Sequence, residues 1–428
     1  MFSIEQLKRH AITLAGQHKI IPRPGRDKLL PRLDENERIL QAAYDVVTTA
    51  TLPGQRLLPA ESWLLDNFYL IEQQIVLARR HLPRGYSRQL PRLADGPSAG
   101  FPRIYDLALQ LISHMDGRVD HENATQIIEA YQSIESLRLG ELWAFPIMLQ
   151  LALLENLRRV ALRIARRREE RESAIVWADR MLETAEKEPN QLIQLLAEFA
   201  NADVPLTAPF VEEFYAKLQA HSTAMIFVQT WLEQKLLEQG VTATQLSEAA
   251  SHTAAANQIS ISNSISSLRF IDTMDWRNYV ESLSVVEQVL RQDPGETYLA
   301  QDFATRDRYR HIIEEIARNS RCSELAVAHE AIMLAQAAKL ALTVNDRTAH
   351  VGYYLVDCGR QVLEHTVDFQ VSWKLRSSRI CSNYRLSLYL GSIFSLTLIA
   401  TFGVLSYFNQ WYLNGVGLTD WRYWIFAI

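Results

Sequence analysis

Two short polar clusters contain the residues that could do chemistry in this chain. The first, DTMDWR at 272–277, places two carboxylates, Asp272 and Asp275, beside an arginine. The second, DFATRDRYRH at 302–311, concentrates charged and histidine side chains: Asp302, Arg306, Asp307, Arg308, Arg310 and His311. Carboxylates and histidine can exchange protons with a substrate, and arginines can bind phosphate with paired hydrogen bonds. Both clusters also fit a structural role, which we favour, because aspartate caps helix starts and Arg306 could pair with Asp302 or Asp275 between helices.

Other catalytic sequence motifs are incomplete or missing in this chain. The pairs His121-Glu122 and His329-Glu330 lack the second histidine of a zinc protease motif, and no glycine-rich phosphate loop follows a strand. The three cysteines show no CxxC spacing. The segment HVGYY at 350–354 would suit a catalytic histidine, although a packed helix start with tyrosines is the interpretation we favour. The sequence therefore predicts no catalytic residue, no metal ligand and no cofactor in this chain.

The elements that would position these clusters are helices. With 16 glycines and 14 prolines in 428 residues, the chain can form long helical segments, and its apolar residues recur at helical spacing. We predict a mainly α fold, either a helical bundle or an irregular α-solenoid. A helix is expected from Leu142, with Pro146 in its first turn, and another from Ala174 to Lys187. The net charge of −5 argues against a nucleic-acid surface.

Two stretches of this helical region allow more than one interpretation. The arginine- and glutamate-rich run at 158–172 is typical of a solvated helix face with i,i+4 pairs, and this is the interpretation we favour. The alternative is a basic contact with lipid headgroups or a partner. The second stretch, 258–267, mixes isoleucine with small polar residues and fits either a helix rich in hydroxyls or a short strand.

The run LSLYLGSIFSLTLIATFGVLSYF at 386–408 carries no charge and is long enough to cross a bilayer. Basic residues precede it and aromatic residues follow it, which predicts that residues 1–385 are cytoplasmic. The membrane-interface residues expected from this pattern are Arg379, Arg385, Trp411, Tyr412 and Trp421. The apolar segment from Trp421 begins a predicted second membrane segment, so we expect a longer membrane protein.

These features suggest five regions along the chain. They are an N-terminal helix and proline-rich connector (1–32), a helical cytoplasmic region (33–258), a second helical section with a basic juxtamembrane segment (259–385), a transmembrane helix (386–408), and a short loop with the start of the next membrane segment (409–428).

Several long strings carry a family resemblance. They are RLLPAESWLLDNFYLIEQQI (56–75), RRHLPRGYSRQLPRL (79–93), PRIYDLALQLISHMDGRVD (102–120), LGELWAFPIMLQLALLENLRR (139–159), FIDTMDWRNYVESLS (270–284), DFATRDRYRHIIEEIAR (302–318) and HVGYYLVD (350–357). Together they resemble the N-terminal region of the cyclic β-1,2-glucan synthases, which are large proteins of the bacterial inner membrane. The resemblance covers most of residues 50–370 and is weaker before Leu33 and through 160–265.

The resemblance implies a cytoplasmic helical region, then membrane spans, then a glycosyltransferase domain that polymerises glucose from UDP-glucose, and a glycoside-phosphorylase-like part. A divalent cation is a further implied cofactor of the full-length enzyme. None of the transferase's donor-binding or catalytic motifs falls on a position of this sequence, so the resemblance assigns no substrate-binding residue here.

Three hypotheses follow. In the first, this chain supports or regulates the transferase domain and anchors it to the lipid bilayer, with 302–311 and the 84–92 loop as candidate contacts. In the second, it is a membrane-anchored helical scaffold or partner-binding module without enzymatic activity. In the third, the helical region contacts the growing glucan, although its tryptophans lie on otherwise apolar faces, as core residues would: Trp63, Trp143, Trp231 and Trp276.

Overall fold

The computed structural model confirms a mainly α protein. It describes residues 1–21, 25–49, 57–83, 85–219, 225–341, 347–370 and 385–411. Within these ranges there are seventeen α-helices, and the only sheet has two short antiparallel strands, in which Ile20 pairs with Leu93 and Ile21 with Arg92.

The described chain divides by its internal contacts into two compact units, Met1–Gln288 and Val289–Ile428. The first unit contains α1 (Ile4–Gln17), β1 (Ile20–Ile21), α2 (Leu29–Thr49), α3 (Pro59–His81), β2 (Arg92–Leu93), α4 (Arg103–His114), α5 (His121–Gln132), α6 (Leu139–Lys187), α7 (Leu192–Asn201), α8 (Ala208–Gln219), α9 (Met225–Glu238), α10 (Ala243–Thr273) and α11 (Trp276–Leu283). The division falls within α12 (Val285–Leu290). The second unit contains α13 (Phe303–Arg318), α14 (Glu324–Ala341), α15 (Val351–Val356), α16 (Arg360–Thr366) and α17 (Arg385–Trp411).

The division after Gln288 differs from the predicted boundary at 258, which lies inside α10. The five predicted regions stay predictions about domain organisation. Helix α2 begins at Leu29, within the predicted connector, and Pro31 occupies its first turn. Proline is tolerated there because the amide it lacks would have no intrahelical acceptor.

Helix α6 is the axis of the first unit. Its 49 residues make it about 74 Å long, and its two halves pack into two separate hydrophobic cores. The first core extends along α6 to Ala165, and the second begins at Ala174. The prediction of a separate helix from Ala174 was wrong because no glycine or proline interrupts 147–187, so the helix continues between the cores.

Pro146 lies in the interior of α6, which corrects the prediction that it occupies the first turn. The helix begins at Leu139, so Pro146 is its eighth residue. It cannot donate to the carbonyl of Leu142, the residue four positions before it. The burial of residues on both sides of this position, including Phe145 and Ile147, stabilises the helix despite the missing hydrogen bond.

The mixed-charge run at 158–172 is only in part the solvated face that we predicted. Arg159, Arg163, Arg166 and Glu169 are exposed, and Arg168 pairs with Glu172 four positions later at 3.2 Å, but the run also contains buried charge. The side chains of Arg168 and Glu61 are only 2% and 1% exposed, and their charged atoms lie 3.8 Å apart. Arg171 also faces Glu61 at 3.8 Å, and Arg158 pairs with Glu155 on the preceding turn. This part of α6 is therefore a charged junction between the two cores, with only some of its residues in solvent.

The stretch 258–267, which the sequence left undecided between helix and strand, is helical within α10. Its serines Ser260, Ser264 and Ser267 are buried and form hydrogen bonds. Ser264 Oγ donates to the Ser260 carbonyl at 2.8 Å, and Asn156 Nδ2 on α6 donates to the hydroxyls of Ser260 and Ser264 at 3.0 Å. Ser267 Oγ donates to the Gly117 carbonyl at 2.8 Å. The small side chains let α10 pack closely on α6 and on the turn after α4.

In the second unit, α13, α14, α15 and α16 pack against one another. Helix α17 contains the stretch Leu386–Val404, which among the described residues is the one helical stretch long and apolar enough to cross a membrane. No side chain of that stretch is buried within the protein. By length and composition, α17 agrees with the predicted transmembrane helix.

Candidate functional site

The acidic residues of the predicted clusters begin helices, as the structural interpretation requires. Asp302 is the N-cap of α13 and accepts a hydrogen bond from the amide of Thr305 at 3.2 Å. Hydrogen bonds from the Thr305 side chain and amide lower the pKa of Asp302, and the charge of Arg306 contributes. Asp275 caps α11 and accepts from the amides of Arg277 and Asn278 at 3.1 and 3.3 Å. Both predicted caps are confirmed.

The two polar clusters lie in different units of the chain. Asp272 and Asp275 belong to the first unit, whereas 302–311 belongs to the second. Asp272, near the end of α10, accepts a hydrogen bond from Gln74 Nε2 on α3 at 2.7 Å. It therefore serves the packing of α10 on α3, while Asp275 serves the start of α11.

The basic residues of α13 have diverse surroundings. Arg306 Nη1 donates to the carbonyl of Gln301 at 2.9 Å. Arg310 is 1% exposed, lies 3.3 Å from Asp307 and stacks over the Phe303 ring. His311 is more than half exposed and contacts Asp307 through Nδ1 at 3.3 Å. Arg308 is exposed. Asp307 is thus shared by an arginine and a histidine, which favours a structural polar network over a catalytic carboxylate.

The membrane-interface residues lie mostly beyond what the structure describes. Arg385 and Trp411 are the first and last residues of α17, but the structure does not describe their side chains. Arg379, Tyr412 and Trp421 lie outside the described residues. In the 84–92 loop, Arg84 also lies outside them, Tyr86–Gln89 forms a 3-10 turn, and Arg92 is buried.

The sequence singled out His350 but not the residues that surround it in the structure. His350 Nδ1 lies 2.7 Å from Asp293 Oδ2, and Asp293 also accepts from the amides of Val351 and Tyr298 at 2.8 and 3.2 Å. Burial alone would raise the pKa of Asp293, but the hydrogen bonds from His350 and the Val351 amide outweigh it and lower the pKa. Asp293 and His350 are 57 positions apart, and no sequence pattern indicates that they are in contact.

This histidine and carboxylate resemble the orienting half of a proton relay, in which a buried carboxylate fixes the imidazole. The other ring nitrogen, Nε2, lies 3.1 Å from Gln301 Nε2 and 3.4 Å from the Tyr309 hydroxyl. A side chain at Gly352 would clash with both His350 and Tyr309. The ring is therefore held inside the packed start of α15, which is the interpretation that the sequence favoured.

The four tryptophans of the glucan-contact hypothesis pack against the cores of the first unit. Trp63, Trp143 and Trp276 lie against the first core and Trp231 against the second. Across the described ranges, no three side chains of histidine, cysteine, aspartate or glutamate converge as a metal site.

The chain matches no protein-family model over its length. It is 32% identical over 374 residues to the cyclic beta-(1,2)-glucan synthase NdvB of Rhizobium meliloti (strain 1021). This chain is related to a cyclic glucan synthase. The match covers 87% of the chain but only 13% of that relative's length, and it is longer than the 50–370 region that the quoted strings span. The resemblance seen in the sequence is confirmed.

The strings that carry the relation to the glucan synthase contribute much of the buried or capping polar structure. Six of the strings supply a residue that forms an ion pair, a contact with a carboxylate or a helix cap: Glu61, Arg103, Glu141, Asp275, Asp302 and His350. These strings therefore supply residues that hold the helical region together.

Proposed function

We propose that this chain is the helical, membrane-anchored part of a glycosyltransferase that synthesises cyclic β-1,2-glucan from UDP-glucose. Its role is to support or regulate the transferase domain of the same protein. The observation that carries the proposal is the 32% identity to a cyclic glucan synthase across 87% of this chain. UDP-glucose, and any divalent cation that the reaction uses, belong to the transferase domain in this proposal.

In this proposal α17 crosses the bacterial inner membrane and residues 1–385 are cytoplasmic. The apolar composition of Leu386–Val404 supports a membrane span, and the basic residues before it in the sequence support the cytoplasmic side. The lipid bilayer and the transferase domain are then the partners of this chain, and the cytoplasmic side is where UDP-glucose would be available.

The exposed basic face of α13 is the candidate contact with the transferase domain. Arg308 and His311 are exposed there, whereas Arg310 on the same helix is buried and contacts Asp307 and the Phe303 ring. An exposed charged face on an internally packed helix suits a contact that forms by charge complementarity.

A chimera with the related Rhizobium synthase tests the proposal. The segment of that synthase matched by this chain is replaced by the whole chain, and membranes are assayed for incorporation of UDP-[14C]glucose into cyclic glucan. A second chimera lacks residues 1–370 but keeps α17, and the amounts of both proteins in the membrane are matched by immunoblot. A third carries Arg308→Gln with His311→Gln, with Arg38→Gln, an exposed change on α2, as its control.

We expect the complete chimera to incorporate glucose, the shortened one to lose incorporation, and the α13 variant to be impaired relative to the Arg38→Gln control. Full incorporation and normal ring products from the shortened chimera would refute a supporting role. The helical region would then be a scaffold or partner-binding module without a part in synthesis.

A further inference from the structure

A basic cavity lies at the charged junction between the two cores of the first unit. It has a volume of about 230 Å³ and lies between α6, the start of α8 and the middle of α10. Three arginines and one glutamate are the charged residues of its lining: Arg163, Arg166, Arg167 and Glu170. Its size is below the roughly 300–1,000 Å³ of pockets that hold drug-sized ligands, so it suits a small group.

The charges of this cavity are only partly neutralised. Arg167 donates to the Ala250 carbonyl at 2.8 Å and lies 3.3 Å from Glu212, so this arginine is held in place. Glu170 accepts a hydrogen bond from the Thr207 hydroxyl at 3.0 Å. Arg163 and Arg166, one turn apart on α6, are exposed and have no hydrogen-bond or ion-pair partner within the described chain. Three arginines against the carboxylates of Glu170 and Glu212 therefore leave the cavity with net positive charge.

Two further features of the lining favour an anion. Asn257 is only 3% exposed, and its side chain has no hydrogen-bond partner among the residues that the structure describes. Its amide keeps a little accessible surface and can form hydrogen bonds with a group bound in the cavity that Asn257 lines. The lining also includes Ala208 and Pro209, the first residues of α8. Pro209 has no amide hydrogen, so this helix start favours negative charge through its dipole and the Ala208 amide.

The geometry points to a binding site for a phosphate group in this cavity, with Arg163 and Arg166 as its charged ligands and Asn257 as a hydrogen-bonding residue. Arginine pairs phosphate oxygens with two hydrogen bonds, and the volume admits a single phosphate or a small phosphate ester. The phosphate can belong to a soluble molecule or to a lipid headgroup. This site is independent of the proposed supporting role, and each can fail without the other.

Calorimetric titration of inorganic phosphate into the whole chain in phosphatidylcholine nanodiscs, at constant ionic strength, tests the site. Acetate at the same ionic strength is the comparison anion. The variants are Arg163→Gln with Arg166→Gln, and separately Asn257→Ala. Arg38→Gln, an equally exposed and unpaired arginine on α2, is the matched control. Circular dichroism checks that each variant is folded.

We expect saturable phosphate binding that is stronger than acetate binding. The double arginine variant should bind about tenfold more weakly or worse, a factor typical of losing hydrogen bonds to a charged group, and Asn257→Ala should also weaken binding. The control should bind like the unchanged chain. Absence of saturable binding, equal binding of acetate, or equal loss in Arg38→Gln would overturn the proposal.

A second titration in nanodiscs that also contain phosphatidic acid distinguishes the source of the phosphate. If a headgroup occupies the cavity, the heat of inorganic phosphate binding disappears in these discs and persists in phosphatidylcholine alone. If the ligand is soluble, the heat persists in both. Both results support the site, because the double arginine variant must abolish phosphate binding in either case. The two results differ only in whether the phosphate comes from a lipid headgroup or from a soluble molecule.

Discussion

Replacing Glu141 by glutamine should destabilise the first unit strongly, because it breaks a buried ion pair. Arg103, at the start of α4, donates through Nε and Nη2 to the two carboxylate oxygens of Glu141 at 2.7 Å each. Nη2 also donates to the Ser136 carbonyl at 2.8 Å, and Glu141 accepts from the Arg138 amide at 3.0 Å. One carboxylate thus ties the beginnings of α4 and α6 together.

The magnitude follows from burial. The side chains of Arg103 and Glu141 are 2% and 0% exposed, so neither can be solvated once its partner is removed. In the native pair the hydrogen bonds and charge of Glu141 outweigh burial and raise the pKa of Arg103. Without Glu141 the guanidinium still stays charged at neutral pH, because arginine is intrinsically a very weak acid. Breaking a buried pair costs about 3–5 kcal/mol of the free energy of unfolding. Glu135, which is half exposed, remains 3.6 Å from Arg103 Nη1 and compensates part of its charge, so we expect the lower end of this range.

Urea unfolding of the whole chain, followed by tryptophan fluorescence, measures this cost. With an m-value of about 3 kcal/mol per molar urea, the midpoint should fall by about 1 M or more. Replacing both residues, Arg103→Met with Glu141→Leu, should recover part of the loss because no buried charge remains. The matched control is Glu183→Gln, which removes an exposed pair with Lys187 at the far end of α6, and its midpoint should not change.

A midpoint in Glu141→Gln within error of the control would refute this reasoning. It would mean that water reaches Arg103, and that the pair contributes no more than a surface ion pair does. A double variant less stable than Glu141→Gln would refute the claim that the lone buried charge is the main cost.

Two other predictions concern the second unit and the topology. Because Asp293 has a lowered pKa, its stabilising effect should be complete above its unfolded pKa of about 3.8 and lost as the pH falls through the lower folded value. Thermal unfolding should show Asp293→Asn to be less stable at neutral pH, with the difference shrinking below pH 3.8; a constant difference would contradict this. In the chain with Cys322→Ser and Cys381→Ser, a membrane-impermeant maleimide should label the exposed Cys358 only after the inner membrane is permeabilised, and labelling of intact spheroplasts would contradict a cytoplasmic helical region.

Much of the helical structure was predictable because its signals are local. Pro59 is the first residue of α3, and Asp275 and Asp302 cap the helices that follow them. Proline at a first helical position and aspartate at an N-cap act through the nearest few residues. The run of uncharged residues in α17 is likewise visible without knowledge of any neighbour.

The candidate site was less predictable. The sequence identified 302–311 as a dense charged cluster, yet its members separate into a cap, a buried arginine and exposed side chains. The cavity was missed because its lining comes from three helices distant in the sequence. The one sequence feature that could have indicated the cavity was the arginine run at 158–172. We interpreted this run as a solvated helix face and kept a contact with lipid headgroups or a partner as the less favoured alternative.

The sequence by itself determined the helical composition, the starts of several helices and the apolar span, because these depend on backbone hydrogen bonding, capping and hydrophobicity within a short segment. Only the tertiary structure decided which charged residues are buried. Arg168 and Arg163 belong to the same run, but one faces Glu61 inside the protein and the other lines a cavity. The physical reason is that the cost of burying a charge depends on a partner supplied by a distant segment, and the sequence pattern does not name that partner.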